Sequence, residues 1–327
     1  ALPICAVAVA QLAWYQLLDE LKGVSTPAPE SLLAQLDQIM QSEANPALMG
    51  LLNAAAEHDV DALCDDDDLS LGHGTGSRCW SVSALPEPDP VPWQDLHDIP
   101  VALITGTNGK TTTTRLCFAI ARAAGLRAGL TSTDFVRVED EILDHGDYSG
   151  PGGARMLLRD RRVEIAYLEV ARGGILRRGL PLRRARAALV NNIAADHLGQ
   201  YGVNTVPELA AAKFSVYRAL GAGGTLVLNG DDPYVVAQAA QIDACICWFS
   251  LQAQCPQIVA AIRANEPCAW LEQGVLTYFD GRTSRAVVQV RDIPITLDGA
   301  ARYNIANALG ALCLSIAMGL KDTAIVA

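Results

Sequence analysis

The chain of 327 residues is acidic, with a net charge of -11 and an isoelectric point of about 4.9. Hydrophobic residues make up 50% of it and charged residues 19%, proportions typical of a globular protein rather than a disordered one. Because phosphate backbones attract clustered Lys and Arg, this balance argues against nucleic-acid binding as the main role. The length allows two domains with ordinary hydrophobic cores.

The sequence carries no sign of a membrane span or an export signal. No stretch of about 20 apolar residues is present to cross a bilayer. The apolar opening at 1–10 has no basic residues before it and is followed by Gln11 and Trp14, so we predict a buried helix or strand there. The nine cysteines form no CxxC pair, and no His accompanies Cys245 and Cys247, which favours reduced thiols over a metal site. We therefore expect a cytoplasmic protein.

Residues 1–83 are predicted to form a mostly helical segment, since Leu, Ala, Met and Gln recur at helical spacing between 31 and 56. The acidic run at 65–68 indicates a solvated turn rather than a metal site. The glycines of the 72–76 segment resemble a phosphate loop by their number alone. No strand and helix clearly flank them, so we predict a plain loop.

A proline-rich linker is predicted over 84–98, because proline fixes φ and donates no backbone hydrogen bond. After it, over 99–327, short apolar strands alternate with helices, which predicts a mostly parallel sheet. The predicted strands and helices, including a helix that opens with a capping box at 205–208, lie at 99–104, 110–124, 163–170, 187–190, 205 onward, 224–229 and 305–318. Two further apolar runs, 275–279 and 286–290, flank an Asp-Gly turn and predict a small antiparallel hairpin. The expected fold class is α/β: a P-loop-type, mostly parallel sheet covered by helices, with that hairpin, after a smaller, mostly helical segment.

The strongest functional signal is the sequence Gly-Thr-Asn-Gly-Lys-Thr at 106–111, which follows a predicted strand and opens a predicted helix. Glycines let backbone N–H groups approach an anion, and the helix N-terminus adds a favourable dipole. Lys110 is placed to reach the outer phosphates of a nucleotide, and the Thr111 hydroxyl to bind Mg²⁺. Ile104 stands where the general pattern has glycine, so the loop is a variant. The alternative is a plain strand-to-helix turn, which the Lys-Thr pair disfavours.

This variant loop resembles that of the Mur ligases, ATP-dependent enzymes that join a carboxylate to an amine. Other segments resemble the same family, and they follow one another in the family's order. In this sequence they are Glu169 at the end of a strand, Asn-Ile-x-x-Asp-His-Leu at 192–198, Lys213, Asn-Gly-Asp-Asp-Pro at 229–233, and Arg-Tyr-Asn-Ile-Ala-Asn at 302–307. Tyr303 replaces a histidine of the family in the last segment, which removes any role that histidine has.

The resemblance implies that Thr111, Glu169 and His197 bind Mg²⁺ and that Lys213 carries a carbamate. Two divalent ions would offset the charge on a transferring phosphoryl group, and ligands collect at strand ends in an open α/β sheet. Taken singly, Glu169 also fits a sheet-edge charge, His197 a surface loop and Lys213 a solvated helix residue. The implied catalytic residues are Lys110, Lys213 and His197, and the implied ATP-binding residues are Gly106, Thr107, Asn108, Gly109, Lys110, Thr111, Thr112, Asn229, Asp232 and Asn304.

Within the family, the segment at 169–180 is most similar to the cyanophycin synthetases. The segments at 131–134 and 146–151 agree, whereas Phe135 departs from the usual glycine. The resemblance covers about residues 99–327. We expect these 327 residues to contain neither the ATP-grasp domain of those synthetases nor the third domain of the Mur ligases.

The resemblance implies an ADP-forming ligase in which ATP phosphorylates a small-molecule or peptide carboxylate and an amino-acid amine attacks the acyl phosphate. Arg172, Arg177 and Arg178 follow Glu169, and either hold an anionic substrate or form a basic surface loop. The alternative is a nucleotide-binding regulatory or scaffolding protein without ligase activity, and a weaker alternative is a kinase. We expect no nucleic-acid or membrane partner, and the sequence leaves an oligomer open.

Overall fold

The computed structural model describes residues 3–23, 29–43 and 45–327. Helices dominate the part before the main sheet, and the opening apolar run is helical from Pro3 onward. Val7 and Val9 of that run are exposed, so the prediction of a buried element is wrong about burial. Ala1, Leu2 and positions 24–28 and 44 of the predicted helical segment lie outside the described residues. The elements of this part are α1 (Pro3–Lys22), α2 (Pro29–Glu43), α3 (Pro46–Glu57), β1 (Ala62–Cys64), β2 (Asp68–Leu71) and β3 (Arg78–Ser81).

The three short strands form an antiparallel sheet in the order β1-β2-β3, which the sequence analysis did not predict. Strands of three or four residues are too short for an alternating pattern to stand out. Leu51 of α3 packs with Leu69 and Leu71 of β2 in a small core. Val91 and Leu96 of the proline-rich stretch are buried in the same core, so that stretch packs as well as connects. The domain boundaries at 83 and 98 remain a prediction.

The main sheet has eleven strands in the order β14-β13-β12-β11-β10-β9-β4-β8-β5-β6-β7. From β12 to β5 every neighbouring pair is parallel, which confirms the mostly parallel sheet. The strands are β4 (Val101–Thr105), β5 (Ala128–Thr131), β6 (Phe135–Val138), β7 (Glu141–His145), β8 (Ile165–Glu169), β9 (Ala185–Val190), β10 (Leu220–Asn229), β11 (Cys245–Ser250), β12 (Cys268–Glu272), β13 (Val275–Phe279) and β14 (Ser284–Gln289).

Helices cover both faces of this sheet, as predicted. Successive side chains of a strand point to opposite faces, so Val101 and Leu103 of β4 join one core while Ala102 and Ile104 join the other. Helices α5, α7 and α8 contribute to the first core, and α4 and α10 to the second. The helices are α4 (Lys110–Ala123), α5 (Pro151–Leu158), α6 (Arg172–Arg178), α7 (Val206–Phe214), α8 (Pro233–Ala239), α9 (Pro256–Ala264), α10 (Arg302–Ala317) and α11 (Asp322–Ile325).

The predicted hairpin is present as β13 and β14, and it extends the main sheet instead of standing beside it. A second antiparallel hairpin, β6 and β7, continues the opposite edge through β5 and was not predicted. Among the described helices, none combines the length and the apolar character needed to cross a membrane.

The N-terminal segment is docked on the main body through polar contacts. Asp65 accepts a 2.9 Å hydrogen bond from Arg159 and pairs with Arg155 at 3.1 Å, so the acidic turn is tied to α5. In the 72–76 segment the backbone amides of Gly72, His73 and Thr75 donate to other backbone carbonyls. Since these amides are used within the fold, the segment lacks the free donors of a phosphate loop.

Candidate functional site

Three adjacent strands of the sheet, β9, β4 and β8, bring the predicted site residues to one edge. Ile104 of β4 is in register with Glu169, the last residue of β8, and Thr105 is in register with Val190, the last residue of β9. The 106–112 loop follows β4, and the loop at 191–203 follows β9. The carboxyl ends of parallel strands in an open α/β sheet are where ligands bind.

The backbone of the 106–112 loop needs its glycines. Gly109 has φ +82°, and a Cβ added there would lie 2.1 Å from Asn307 Oδ1. The Thr107 and Asn108 amides donate to Asn192, at 2.8 Å to its carbonyl and 2.8 Å to its Oδ1. Neighbouring loop backbone therefore fixes the loop's approach to α4. The first-turn amides of that helix, at residues 110–112, have no acceptor one turn back within the helix.

Lys110, Thr111 and Glu169 lie together at the start of α4. Lys110 Nζ donates to the Thr107 carbonyl at 3.1 Å, and Thr111 Oγ1 donates to Glu169 Oε2 at 2.9 Å. Glu169 is 2% exposed, and its other oxygen, Oε1, is buried with no hydrogen-bond partner among the described residues. Burial raises the pKa of Glu169, while the Thr111 hydroxyl and the charge of Lys110 lower it. A buried carboxylate oxygen without a partner is a ready ligand for a cation.

Lys213 lies beneath the 106–112 loop. Helix α7, which carries it, begins at the predicted capping box: Thr205 Oγ1 accepts from the Glu208 amide, and the Glu208 carboxylate accepts from the Thr205 amide. Lys213 is 3% exposed, and its Nζ donates to the Gly106 carbonyl at 2.8 Å. Burial, followed by the charge of Lys110, lowers the pKa of Lys213 to about 8. The interpretation of Lys213 as a solvated helix residue is therefore wrong.

His197 is placed at the same edge of the sheet but points outward. Its side chain is 68% exposed, and its Nε2 lies 3.5 Å from Asp196 Oδ1. Its backbone has φ +46°, a conformation that non-glycine residues seldom adopt. In the described residues no hydrogen bond or ion pair joins its ring to Thr111 or Glu169, so the structure does not bring the three predicted metal ligands into contact.

Asn229 and Asp232, two of the implied ATP-binding residues, are tied to the loop after β9. Asn229 Nδ2 donates to the Asn191 carbonyl at 2.9 Å. Asp232 Oδ2 accepts from the Ile193 amide at 2.7 Å, and its Oδ1 caps α8. Both side chains therefore connect the ends of β9 and β10, at the same edge as the 106–112 loop.

Two asparagines that the sequence analysis left out of the site connect α10 to that loop. Asn191 Nδ2 donates to Asn307 Oδ1 at 2.8 Å, and Asn307 Nδ2 donates to Asn304 Oδ1 at 3.2 Å. Asn304 in turn donates to the Ile295 carbonyl at 2.7 Å. The one signal for Asn191 was its position next to Asn192 at the end of a strand. Tyr303, which replaces the histidine of the family, is 70% exposed.

The three arginines after Glu169 have different surroundings. Arg172 is buried and donates to the His197 carbonyl, whereas Arg177 and Arg178 are exposed at the end of α6. Arg177 and Arg178 line a cavity of about 410 Å³ together with Asp147 and the glycines of residues 150–153 and 173–174. Arg178 also lines an adjoining cavity of about 430 Å³.

Compared with known protein families, residues 104–315 match the Mur ligase middle domain. The chain belongs to the Mur ligase family. The resemblance inferred from the 106–112 loop is thus confirmed. This Mur ligase chain is 41% identical over 222 residues to the cyanophycin synthetase of Synechocystis sp. and 40% identical over 222 residues to that of Geminocystis herdmanii. Each match covers 68% of this chain and 25% of the synthetase, so the chain spans about a quarter of those relatives.

More distant proteins are also similar to this chain, in sequence or in fold. The UDP-N-acetylmuramoylalanine-D-glutamate ligase of Pelodictyon phaeoclathratiforme is 27% identical over 225 residues, which is 67% of this chain and 43% of that one. The structure of a UDP-N-acetylmuramoyl-L-alanyl-D-glutamate-2,6-diaminopimelate ligase superposes with a TM-score of 0.52 and 20% identity, over 70% of this Mur ligase chain and 45% of the other. The E. coli FolC structure in complex with DHPP and ADP has a TM-score of 0.50 and 20% identity, over 69% and 55% of the chains. These structures establish the fold.

Proposed function

We propose that this chain is the ATP-binding part of an ADP-forming ligase that joins a carboxylate to an amine through an acyl phosphate. The observation that carries the proposal is the Thr111–Glu169 hydrogen bond beside Lys110. It sets a hydroxyl, a buried carboxylate and a cation at the ends of neighbouring parallel strands. Phosphoryl transfer is catalysed mainly by such positioning and by electrostatic stabilisation.

The donor set around Glu169 fits Mg²⁺, which prefers oxygen ligands and keeps part of its water shell. Thr111 and Glu169 would hold one ion, and His197 would hold a second. Mg²⁺ would supply neutralisation of the phosphate charge. No group of three or more His, Cys, Asp or Glu in the described part of the chain could hold a metal by itself. Phosphate and water oxygens would therefore complete the coordination.

The nucleotide would lie along the edge formed by β9, β4 and β8. The Lys110 ammonium and the first-turn amides at residues 110–112 would face the phosphates, as at other helix N-termini that bind anions. Asn229, Asp232 and Asn304 lie on the elements that flank this edge, and we assign them to the adenosine end. In the reaction, a carboxylate oxygen attacks the γ-phosphorus and ADP leaves. An amine nitrogen then attacks the carbonyl carbon, and phosphate leaves with the carboxylate oxygen.

The charge around the two adjoining cavities supports an anionic carboxylate substrate. They meet at Pro151 and Arg178, and the second is also lined by Arg183 and Arg218. Within the described residues, no carboxylate forms an ion pair with Arg178, Arg183 or Arg218, whereas ten of the other eighteen arginines have such a partner. Asp147, which lines the first cavity, also acts electrostatically on Glu169. We infer that the two cavities form one groove, which leads from Asp147 toward Arg178, Arg183 and Arg218.

An isotope experiment tests the acyl phosphate directly. The chain is incubated with ATP, an amine and candidate carboxylates labelled with ¹⁸O, drawn from amino acids and acidic peptides. The proposal predicts ADP, an amide and phosphate carrying one ¹⁸O atom from the carboxylate. Phosphate without the label would contradict the acyl phosphate, and a phosphorylated stable product would indicate a kinase. Nucleotide binding with no turnover under any pair of substrates would favour a regulatory or scaffolding protein.

A further inference from the structure

Arg172 lies three residues after Glu169, and its guanidinium is turned into the protein instead of toward a substrate. The residue is 8% exposed. Its Nη1 donates to the His197 carbonyl at 2.8 Å and its Nη2 to Gln200 Oε1 at 3.2 Å. No carboxylate among the described residues forms an ion pair with it. A buried guanidinium is destabilising unless its N–H groups are bonded, so these contacts hold both the side chain and the loop.

The loop that Arg172 holds is conformationally strained. His197 and Tyr201 have positive φ values of 46° and 55°, and Gly199 and Gly202 have 86° and 75°. Non-glycine residues in this region persist only when the surrounding structure imposes the conformation. The guanidinium of Arg172 also lies 5.9 Å from the centre of the Tyr201 ring, within reach of a cation–π interaction. Arg172 therefore interacts with both non-glycine residues of this loop that have positive φ, His197 and Tyr201.

The chain position of Arg172 makes it a link between two proposed metal ligands. Glu169 is the last residue of β8, and Arg172 is the first residue of α6, three positions later. The side chain of Arg172 donates to the backbone carbonyl of His197, in the loop after β9. We propose that Arg172 is a positioning residue that sets the His197 backbone relative to Glu169 and thereby makes the second metal site. This inference rests on the proposed function, because it requires that His197 bind an ion beside the nucleotide.

Mn²⁺ titrations of the full chain followed by electron paramagnetic resonance test this role without relying on turnover. With the non-hydrolysable nucleotide AMPPNP, the wild-type chain should bind two Mn²⁺ ions. Arg172→Met should weaken the second ion by about 10–100-fold, the range found when residues that orient metal ligands are changed, and leave the first unchanged. Arg172→Lys, which keeps the charge but has a single donor nitrogen, should weaken the second ion less than Arg172→Met does. Arg263→Met, on α9, serves as the matched control.

A double-mutant cycle separates positioning from general destabilisation. If Arg172 acts through His197, adding Arg172→Met to His197→Ala should not weaken Mn²⁺ binding further. Thermal unfolding verifies folding of each variant, and Gln200→Met, which removes one acceptor from the loop, replaces Arg172→Met if that variant does not fold. Unchanged affinity for both ions in Arg172→Met or Gln200→Met would overturn the inference, as would additive effects in the cycle.

The outcome for Arg172 can be distinguished from the outcome for the ligase. A wild-type chain that binds a single Mn²⁺ ion per nucleotide would overturn the positioning role, while the ¹⁸O experiment could still show amide formation. Two Mn²⁺ ions with the predicted response to Arg172→Met, in a chain that makes no amide, would support the positioning role and contradict the ligase.

Discussion

Lys213 Nζ donates a 2.8 Å hydrogen bond to the carbonyl of Gly106, and this bond ties α7 to the first residue of the 106–112 loop. The ammonium is buried, and the charge of Lys110 adds to the effect of burial, so the pKa of Lys213 falls from 10.5 to about 8. At pH values below about 8 the buried charge destabilises the fold, and this destabilisation is relieved as the pH rises from about 8 to 10.5. A neutral amine, which can attack the carbon of CO₂, is thus accessible near physiological pH.

We expect Lys213 to carry a carbamate in bicarbonate buffer, increasingly between pH 7 and 9 as the neutral amine becomes more abundant. A ¹³C NMR signal after labelling with ¹³C-bicarbonate measures it, and Lys213→Ala should remove both the signal and ATP turnover. Small carboxylates added to Lys213→Ala should restore part of the turnover, since they replace the lost anion. Full activity of Lys213→Ala in bicarbonate-free buffer would contradict this role.

Lys110→Ala should lower ATP turnover by about 10²–10³-fold, because it removes a cation aimed at the developing phosphoryl charge. Circular dichroism and thermal unfolding should stay close to wild type, since the Lys110 ammonium donates to the Thr107 carbonyl within its own loop. Lys321→Ala, at an exposed position before α11, is the matched control. Near-normal turnover in folded Lys110→Ala would rule out the assigned phosphate site.

Glu169 should make stability depend on both pH and Mg²⁺. Burial raises the pKa of Glu169, so between the pKa of the unfolded chain and that of the folded chain, only the folded chain keeps the carboxyl proton. The contribution of Glu169 to stability therefore falls as the pH rises through this interval. Mg²⁺ should reverse the loss by pairing with the carboxylate. We expect Mg²⁺ to raise the Tm of the wild type at pH 8 and to leave the Tm of Glu169→Gln unchanged. An equal rise in both proteins would place the ion elsewhere.

Gly109→Ala should abolish ATP binding and destabilise the fold, because the new Cβ would overlap Asn307 Oδ1 in a left-handed backbone conformation. Gly125→Ala is the matched control: it has φ +79°, and a Cβ there meets nothing within 4 Å. That variant should lose about 1–2 kcal/mol of unfolding free energy from strain alone and bind ATP normally. Denaturant unfolding and calorimetric ATP titration measure both effects. Equal ATP affinity in the two variants would contradict the role of Gly109 in the nucleotide site.

The combined change of Arg183 and Arg218 to Gln should raise the KM of an acidic substrate about tenfold or more and leave the KM of ATP unchanged. The reason is the loss of two cations from the groove beyond Arg178. The corresponding change of Arg263, on α9, and Arg282, in the turn between β13 and β14, controls for net charge. A KM that responds equally to both pairs would show that overall charge, not the groove, attracts the substrate.

The sequence by itself determined the parts of the site whose chemistry is local. Strand β4, the 106–112 loop and α4 follow one another directly in the chain. The glycines and the Lys-Thr pair that predict a phosphate site all lie within the seven residues of that loop. The capping box at Thr205 and Glu208 likewise depends on residues three positions apart. Such features are readable because the interactions that fix them join near neighbours in the chain.

Only the tertiary structure decided which distant residues meet. The Asn191–Asn307 hydrogen bond joins residues 116 positions apart, and Arg172 reaches a loop 25 residues away. Composition cannot show whether an arginine faces solvent or a backbone carbonyl, and for Arg172 the direction is set by packing of α6 on the loop after β9. The sequence analysis also did not predict the short strands β1–β3 or the hairpin of β6 and β7. Strands of three to five residues are determined by their partners across the sheet rather than by their own sequence pattern.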